Sequence, residues 1–172
     1  MNAIFFDRDN TLIIDDTGYL SQPEDVHYFE DTFLALKEIS KLGFSFFLVT
    51  NQSGIGRGFF KDENVQKIYE KMQKDFQAHE LELTDMAYCP HAPEDGCSCR
   101  KPSPEMINSL VAKWNIEKSK SFMVGDKISD VECARKAKVT PILLNTQNIK
   151  NNEKLCFKNL TEFATYLKNH LS

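Results

Sequence analysis

The chain has 172 residues, of which 41% are hydrophobic and 27% are charged, and its formal net charge is -4. This length and balance predict a single globular domain over residues 1–172, with one sizeable core. The acidic charge argues against nucleic acid as the main partner, because a phosphate backbone needs a basic face. A net negative charge is still compatible with a small anionic substrate that binds to a local cluster of basic residues.

The sequence contains no apolar run that approaches the ~20 residues of a membrane span. It opens "MNAIFFDRDN", without the basic and apolar regions of a signal peptide. We therefore expect a cytoplasmic protein with no membrane partner, acting as a monomer. In that compartment the five cysteines are reduced thiols and not a disulfide framework.

Apolar segments alternate with helical patterns along the chain. Most strand candidates are continuous apolar runs, as in a parallel sheet covered on both faces. The predicted strands are 3–6, 44–50, 86–88, 121–125 and 141–144. The predicted helices are 31–43, 62–77, 103–114, 129–137 and 161–171, with Gly43 closing the first, Asp62 capping the second, and Ser103 capping the third with Pro104 at its first position. The alternation predicts an α/β fold with a parallel sheet and helices on both faces.

Polar clusters follow four of the predicted strands. They are "DRDNT", "TNQSG", the Cys/His stretch of "YCPHAPEDGCSCRKP", and "GDKISD". Ligands of open α/β sheets bind at the carboxyl ends of the strands. The four clusters are therefore expected to converge on one crevice.

The first cluster places Asp7 and Asp9 two residues apart after an apolar strand. A carboxylate can attack phosphorus to form an aspartyl-phosphate, and a second can protonate the leaving alcohol and later activate water. Asp7 fits the first role and Asp9 the second. Taken alone, the pair fits solvated loop carboxylates at least as well.

The other strand ends add groups that suit a phosphate. Thr50 and Asn51 can hydrogen-bond phosphoryl oxygens, although such residues are also common in caps and turns. Asp126 and Asp130 offer oxygen ligands of the kind that Mg²⁺ prefers, although Asp130 also suits a helix cap.

Three cysteines and one histidine lie within eleven residues, in the order Cys89, His91, Cys97 and Cys99. A Cys₃His set is sufficient for closed, tetrahedral, structural zinc. A reactive thiol cluster or a Cys97–Cys99 disulfide is the alternative, and the disulfide would be strained by its short separation. We favour zinc, which would order the loop that carries Arg100 and Lys101.

Together and in this order, the motifs resemble those of the haloacid dehalogenase superfamily of aspartyl-phosphate phosphatases, over about residues 3–145. "DRDNT" matches the nucleophile motif, Thr50 the second motif, Lys101 the third and "GDKISD" the fourth. The resemblance implies a Rossmann-like fold and Mg²⁺ held by Asp7, the Asp9 carbonyl and Asp126. It also implies that Thr50 and Lys101 bind the reacting phosphate. The chain has no room for the separate cap domain of many members, so the zinc loop and residues 10–30 would do part of its work.

The segments "VTNQSGIGRG", "CPHAPEDGCSCRKP" and "VGDKISD" resemble the branch that contains the heptose bisphosphate phosphatases and the histidinol-phosphatases. The branch implies a small phosphorylated sugar as substrate, first of all D-glycero-D-manno-heptose 1,7-bisphosphate, hydrolysed at the 7-phosphate. Histidinol phosphate or a general sugar phosphate is the alternative, and a catalytically inactive, zinc-stabilised binding module is the alternative from another class. The implied substrate contacts are Asp16, Gly18, Tyr19, Asn51, Gln52, Ser53, Arg57, Arg100 and Lys127. Arg57 and Arg100 are candidates for the far phosphate, because guanidinium groups bind phosphate as forks.

The sequence departs from the family pattern at two places. Asn10 stands where the family usually has Gly, and Asn is the other residue that tolerates a positive φ. The stretch "LIIDD" stands where the heptose branch commonly has Asn. The second departure concerns recognition of the sugar and not the chemistry at phosphorus.

Overall fold

The structure is a computed structural model that describes residues 1–145, 148 and 150–171. The described strands are β1 (Asn2–Phe6), β2 (Phe44–Asn51), β3 (Leu83–Cys89), β4 (Phe122–Gly125), β5 (Thr140–Leu144) and β6 (Cys156–Phe157). The helices are α1 (Thr32–Ser40), α2 (Asp62–Ala78), α3 (Glu105–Trp114), α4 (Ile128–Ala137) and α5 (Leu160–Leu171). This confirms the predicted α/β class.

The strands form one six-stranded sheet in the order β3-β2-β1-β4-β5-β6. Every pairing along it is parallel. The chain moves outward from β1 to β3, and then returns to the other side of β1 with β4. This reversal beside β1 is the point at which Rossmann-like sheets open a crevice for ligands.

Both faces of the sheet are buried, as the continuous apolar runs predict. Side chains alternate along β1, so that Ile4 and Phe6 face α1, α2 and α5, while Ala3 and Phe5 face α3 and α4. All four of these side chains are fully buried. Burying an aromatic or branched side chain stabilises a fold by about 1.5–3 kcal/mol, so the central strand is firmly fixed on both sides.

The predicted boundaries differ from the structure in a few places. β3 begins at Leu83, earlier than predicted, and the two-residue β6 was not predicted. α2 begins at Asp62 itself, so Lys61 and not Asp62 is the residue before the first turn. α3 begins at Glu105, so the prediction of Ser103 as its cap is wrong by one position and Pro104 takes that place.

The described residues include no inserted cap domain, as predicted. The segment between β1 and α1 is a loop with one short 3-10 turn, Pro23–Asp25. A second irregular segment follows β3 and carries the Cys/His stretch, with a 3-10 turn at Pro93–Asp95. Across the ranges that the structure describes, none of the helices is both long enough and apolar enough to cross a membrane.

Candidate active site

A buried lysine joins the segments that follow β1, β3 and β4. The Lys101 Nζ atom lies 2.8 Å from Asp7 Oδ1, 2.7 Å from Asp130 Oδ1 and 2.8 Å from the carbonyl oxygen of Val49. Asp7 itself is fixed by its backbone N–H, which donates to the carbonyl oxygen of Val124 on β4 at 2.9 Å. The first and third motifs therefore meet at the predicted strand ends.

The ionisation of this cluster depends on the pairing of its charges. Burial alone would lower the pKa of Lys101, but the carboxylates of Asp130 and Asp7 raise it above its usual value. Burial raises the pKa of Asp7, and Lys101 opposes that rise. The ammonium group therefore favours the anionic form of Asp7 that a nucleophile requires, against the effect of burial.

Asp126 completes a carboxylate cluster that suits a hard cation. One oxygen from each of Asp7, Asp126 and Asp130 lies within 4.8 Å of the others. Burial, followed by the charge of Asp7, raises the pKa of Asp126 to about 8. Carboxylates crowded in this way are stabilised as anions by a divalent cation, and an oxygen-only set suits Mg²⁺.

Asp130 takes the helix-cap role that the sequence offered, and it also binds Lys101. Its Oδ2 accepts the backbone N–H of Lys127 at 3.1 Å, which caps the first turn of α4, and its Oδ1 binds Lys101. Gly125 makes this possible, because a Cβ atom at that position would lie 2.2 Å from the Asp130 carboxylate. Asp7 and Asp126 are therefore the carboxylates left to hold a metal.

The carboxylate of Asp9 is held away from the lysine by two other side chains. Arg8 Nε donates to Asp9 Oδ1 at 2.9 Å, and Gln52 Nε2 donates to Asp9 Oδ2 at 2.9 Å. Burial raises the pKa of Asp9, and the Arg8 guanidinium opposes the rise. The two aspartates of the D-x-D pair are thus neighbours with different partners.

The residues that follow β2 hold the catalytic candidates in place. Gln52 Nε2 also donates to Thr50 Oγ1 at 2.8 Å, which leaves the Thr50 hydroxyl hydrogen to be donated elsewhere. Asn51 Oδ1 accepts the backbone N–H of Lys101 at 3.0 Å, and Asn51 Nδ2 donates to the Lys101 carbonyl at 3.3 Å. Asn51 therefore orients Lys101, and Gln52 links Thr50 to Asp9.

The other predicted substrate contacts lie on the loops that follow β1, β2 and β4. Asp16, Gly18 and Tyr19 are exposed on the loop after β1, as are Arg57 and Lys127 on the loops after β2 and β4, whereas Ser53 is half-buried. Tyr19 packs edge-on against Phe59, with ring centroids 4.7 Å apart. This contact joins the loop after β1 to the loop after β2.

Arg100 is half-buried and has one fully buried guanidinium nitrogen. In the described part of the chain, its Nη1 and the Nη1 of Arg8 are the only buried side-chain nitrogen or oxygen atoms without a hydrogen-bond partner. A buried guanidinium nitrogen without a partner is costly unless a ligand or water satisfies it. Arg57, by contrast, has a long ion pair with Glu94 at 3.4 Å.

The Cys/His stretch folds into a compact ligand set. Cys89 Sγ lies 2.8 Å from Cys99 Sγ and 3.5 Å from Cys97 Sγ, and His91 Nδ1 lies 3.3 Å from Cys99 Sγ. None of the five cysteines forms a disulfide. Burial and the neighbouring Cys99 raise the pKa of Cys89 to about 12, so a cation is needed to hold its thiolate. The four soft and borderline ligands fit structural zinc.

This loop packs closely on the segment after β2. Gly56 donates its backbone N–H to the carbonyl oxygen of Pro90 at 2.8 Å. A Cβ atom on Gly56 would lie 2.6 Å from the backbone nitrogen of Ala92, so only glycine fits there. The zinc loop and the β2 loop therefore form one wall of the site.

Sequence reasoning missed three parts of this arrangement. It did not predict the ion pair of Arg8 with Asp9 or the ion pair of Lys101 with Asp130. It also did not predict the hydrogen bonds of Asn10 to Asp15. The signal in the sequence was an arginine set between two aspartates. Arg8 is only 1% exposed, and arginine is rarely buried without a specific partner.

The fold and the site define a phosphatase of the aspartyl-phosphate class, and comparison with known proteins agrees. The family model described as polynucleotide kinase 3 phosphatase matches residues 2–162. The chain is 38% identical to the D-glycero-beta-D-manno-heptose-1,7-bisphosphate 7-phosphatase of Helicobacter pylori (strain J99), over 96% of this chain and 97% of that protein. It is 40% identical to the protein of the same name from Haemophilus ducreyi, over 84% of this chain and 83% of that one.

A solved structure extends the likeness to three dimensions. The D,D-heptose 1,7-bisphosphate phosphatase from B. bronchiseptica, complexed with magnesium and phosphate, superposes with a TM-score of 0.87 at 25% identity, over 98% of this chain and 99% of that one. The chain belongs to the haloacid dehalogenase superfamily, in the family of the D-glycero-D-manno-heptose 1,7-bisphosphate 7-phosphatases.

Proposed function

We propose that this protein is a Mg²⁺-dependent phosphatase that removes the 7-phosphate of D-glycero-D-manno-heptose 1,7-bisphosphate. One observation carries the reaction: the buried Asp7 carboxylate lies 2.8 Å from Lys101 Nζ, while Asp9, two residues on, is held separately by Arg8 and Gln52. A nucleophile and an acid/base thus stand side by side with different environments. The substrate class is that of the relatives named above.

In the first step an Asp7 oxygen forms a bond to phosphorus as the bond to the leaving sugar oxygen breaks. Asp9 gives its proton to that oxygen, so that a neutral alcohol departs. Asp9 then takes a proton from water as the water oxygen attacks phosphorus. Inorganic phosphate leaves, and the Asp7 carboxylate is restored.

The remaining groups orient the phosphoryl oxygens. Lys101 is held by Asp130 and Val49, so its charge stays beside Asp7 when a phosphate arrives. The Thr50 hydroxyl, fixed by Gln52, donates to the same phosphate. Asp7, Asp126 and the Asp9 carbonyl are the proposed ligands of Mg²⁺, which when bound neutralises charge on the phosphoryl oxygens.

The second phosphate of the substrate needs its own cation. We assign it to Arg100, whose buried Nη1 has no partner within the described protein, with Arg57 at the rim as a second contact. Asp16, Gly18, Tyr19, Ser53 and Lys127 would then surround the sugar or its phosphates, as the sequence motifs imply. Zinc on Cys89, His91, Cys97 and Cys99 would hold the loop that positions Arg100 and Lys101.

We also propose that the protein acts as a monomer in the cytoplasm and that residues 1–172 form one domain. Two observations support this. The described strands form one sheet, as in a single domain, and five cysteines without a disulfide suit a reducing compartment. Light scattering of the purified protein tests the monomer, and a dimeric mass at working concentration would contradict it.

The function is tested by comparing phosphate release from heptose 1,7-bisphosphate, histidinol phosphate and 4-nitrophenyl phosphate at matched Mg²⁺. We expect the highest kcat/KM with the heptose bisphosphate, and phosphorus NMR should show that the product keeps its 1-phosphate. A higher kcat/KM with histidinol phosphate, or loss of the 1-phosphate, would contradict the proposal. Absence of turnover with all three would instead favour a binding module.

A further inference from the structure

Residues 15–19 form a rim loop after β1 that is buried at Asp15 and exposed at residues 16–19. This loop is hydrogen-bonded to the nucleophile loop by Asn10, a side chain that the mechanism does not use. We propose that Asn10 is a positioning residue that sets the place of this rim loop, and thereby the binding of the sugar. The inference rests on the proposed function, because it treats residues 15–19 as the part of the site that meets the sugar.

Asn10 makes two hydrogen bonds to the same residue. Its Oδ1 accepts the backbone N–H of Asp15 at 3.0 Å, and its Nδ2 donates to the Asp15 carbonyl at 3.2 Å. Asn10 is half-buried and has a φ of 59°. Its own backbone N–H donates to the carbonyl of Ile13 at 2.7 Å, which closes a turn between these two residues. The two Asn10–Asp15 hydrogen bonds are called the Asn10 bracket below.

Asp15 in turn fixes the rest of the rim loop through hydrogen bonds to its side chain. Its buried carboxylate accepts the backbone N–H of Thr17 at 3.1 Å, the Thr17 hydroxyl at 3.0 Å and the backbone N–H of Gly18 at 2.9 Å. The Thr17 hydroxyl in turn accepts the backbone N–H of Tyr19 at 3.2 Å. Positions 15 to 19 are therefore one hydrogen-bonded unit whose base is Asn10.

The far end of the loop reaches the other parts of the site. Tyr19 packs on Phe59 of the β2 loop, and the carbonyl of Leu20 accepts Arg8 Nη2 at 3.4 Å. Arg8 and Asn10 flank Asp9, the proposed acid/base. Asn10 contacts Asp15 at the start of the rim loop, and Arg8 contacts Leu20, the residue just after it. Both ends of the rim loop are thus hydrogen-bonded to the loop that carries Asp7 and Asp9.

The backbone conformation and the two hydrogen bonds of the Asn10 bracket explain why asparagine suits position 10. The left-handed backbone admits chiefly Gly, Asn and Asp. Glycine would keep the backbone but lose both bonds, and aspartate would face the Asp15 carbonyl with a second acceptor. Among these residues only asparagine supplies a donor and an acceptor together.

The test is Asn10→Gly, with Asn115→Gly as the matched control. Asn115 also has a positive φ, of 50°, and lies exposed at the end of α3. For Asn10→Gly we expect KM for heptose 1,7-bisphosphate to rise about tenfold with kcat nearly kept, a change within the net contribution of the two lost hydrogen bonds. Turnover of 4-nitrophenyl phosphate, which lacks the sugar, should change much less, and Asn115→Gly should change neither.

A second measurement needs no substrate. Hydrogen exchange of the amides of residues 17–19 should quicken in Asn10→Gly and not in Asn115→Gly. Unchanged exchange would overturn the bracket, and an equal loss with both substrates would mean that Asn10 serves the nucleophile loop and not the sugar. Failure of the proposed function would show differently, as absence of heptose bisphosphate turnover in the unmodified protein.

Discussion

The carboxylates of Asp7 and Asp126 follow two neighbouring buried strands, and Asp130 lies in the helix just after the second. The Cys₃His set instead starts at Cys89, the last residue of β3, and its other three ligands lie in the loop that follows. Both groups gather three or four ligands within 4.8 Å of one another. The first is assembled by strands whose packing is independent of any metal. The second lies between Cys89 and Cys99, where only one 3-10 turn is formed.

This difference teaches which site depends on its metal for shape. The carboxylate cluster is held by the sheet and by the Lys101 ammonium, so its geometry should survive the loss of Mg²⁺. The thiol loop has few apolar groups to offset its ordering entropy, and metal binding supplies that free energy. Lys101 belongs to both regions, because the loop carries it and the carboxylates bind it.

The largest effect is expected when the carboxylate site loses its nucleophile. Asp7→Asn should lower kcat by at least about 10⁴-fold, as for other nucleophile replacements, while circular dichroism shows an intact fold. The amide cannot form the acyl-phosphate bond that the reaction needs. Turnover within tenfold of the unmodified protein would refute the assignment of Asp7.

The next effect comes from removing the residue shared by both regions. Lys101→Met leaves Asp7 and Asp130 buried without their cation, and breaking a buried pair costs about 3–5 kcal/mol. Urea unfolding without Mg²⁺ should show this loss, and kcat should fall by about 10²–10³. The matched control is Lys113→Met, because Lys113 pairs with Asp85 at 2.6 Å but is 62% exposed. Its loss should cost no more than about 1 kcal/mol, and equal costs for the two variants would contradict the buried pairing.

The predictability of the two regions also differs. The Cys₃His set is local, so the sequence itself offered the four residues as a candidate metal site, and the D-x-D pair was placed correctly at the end of β1. The partners of those aspartates are not local. Lys101 is 94 positions from Asp7, and no periodicity or spacing reports that kind of pairing.

The hydrogen-bond partners of a polar side chain also cannot be read from the sequence. The substrate contacts of Asn51 and Gln52 stay a prediction. In the structure Asn51 binds the Lys101 backbone, and Gln52 binds Asp9 and Thr50. Lys101 and Asp9 lie on other segments of the chain, so the pattern around residues 51 and 52 does not report these contacts. β6 has two residues, too few for any hydrophobic pattern to register.

A smaller effect is expected when the metal-dependent loop is broken. Cys97→Ser should lose zinc, as measured by metal analysis of protein purified without chelator. It should lower kcat/KM about tenfold to a hundredfold, because Arg100 and Lys101 would be displaced by an ångström or so. Activity should still require Mg²⁺, since the carboxylates are untouched.

Cys156→Ser is the matched control for that change. Cys156 lies on β6, outside the ligand set, so its variant should keep zinc and activity. Zinc retained after Cys97→Ser would contradict the site. Zinc lost with unchanged kinetics would leave the site in place and remove its proposed role in positioning Lys101.

The smallest effect is expected for Arg100→Ala, which should distinguish the role of Arg100 from that of the neighbouring Lys101. Lys101 serves the reacting phosphate, and Arg100 is assigned to the distal one. Arg100→Ala should therefore raise KM for heptose 1,7-bisphosphate about tenfold, the value of a charge-assisted hydrogen bond. KM for a heptose monophosphate should change little, because that substrate never meets the Arg100 guanidinium. Arg135→Ala is the control, since Arg135 is 56% exposed and pairs with Glu153 on the surface. An equal rise in KM with both heptose phosphates would place Arg100 on the reacting phosphate, and the distal subsite would then have to be sought at Arg57.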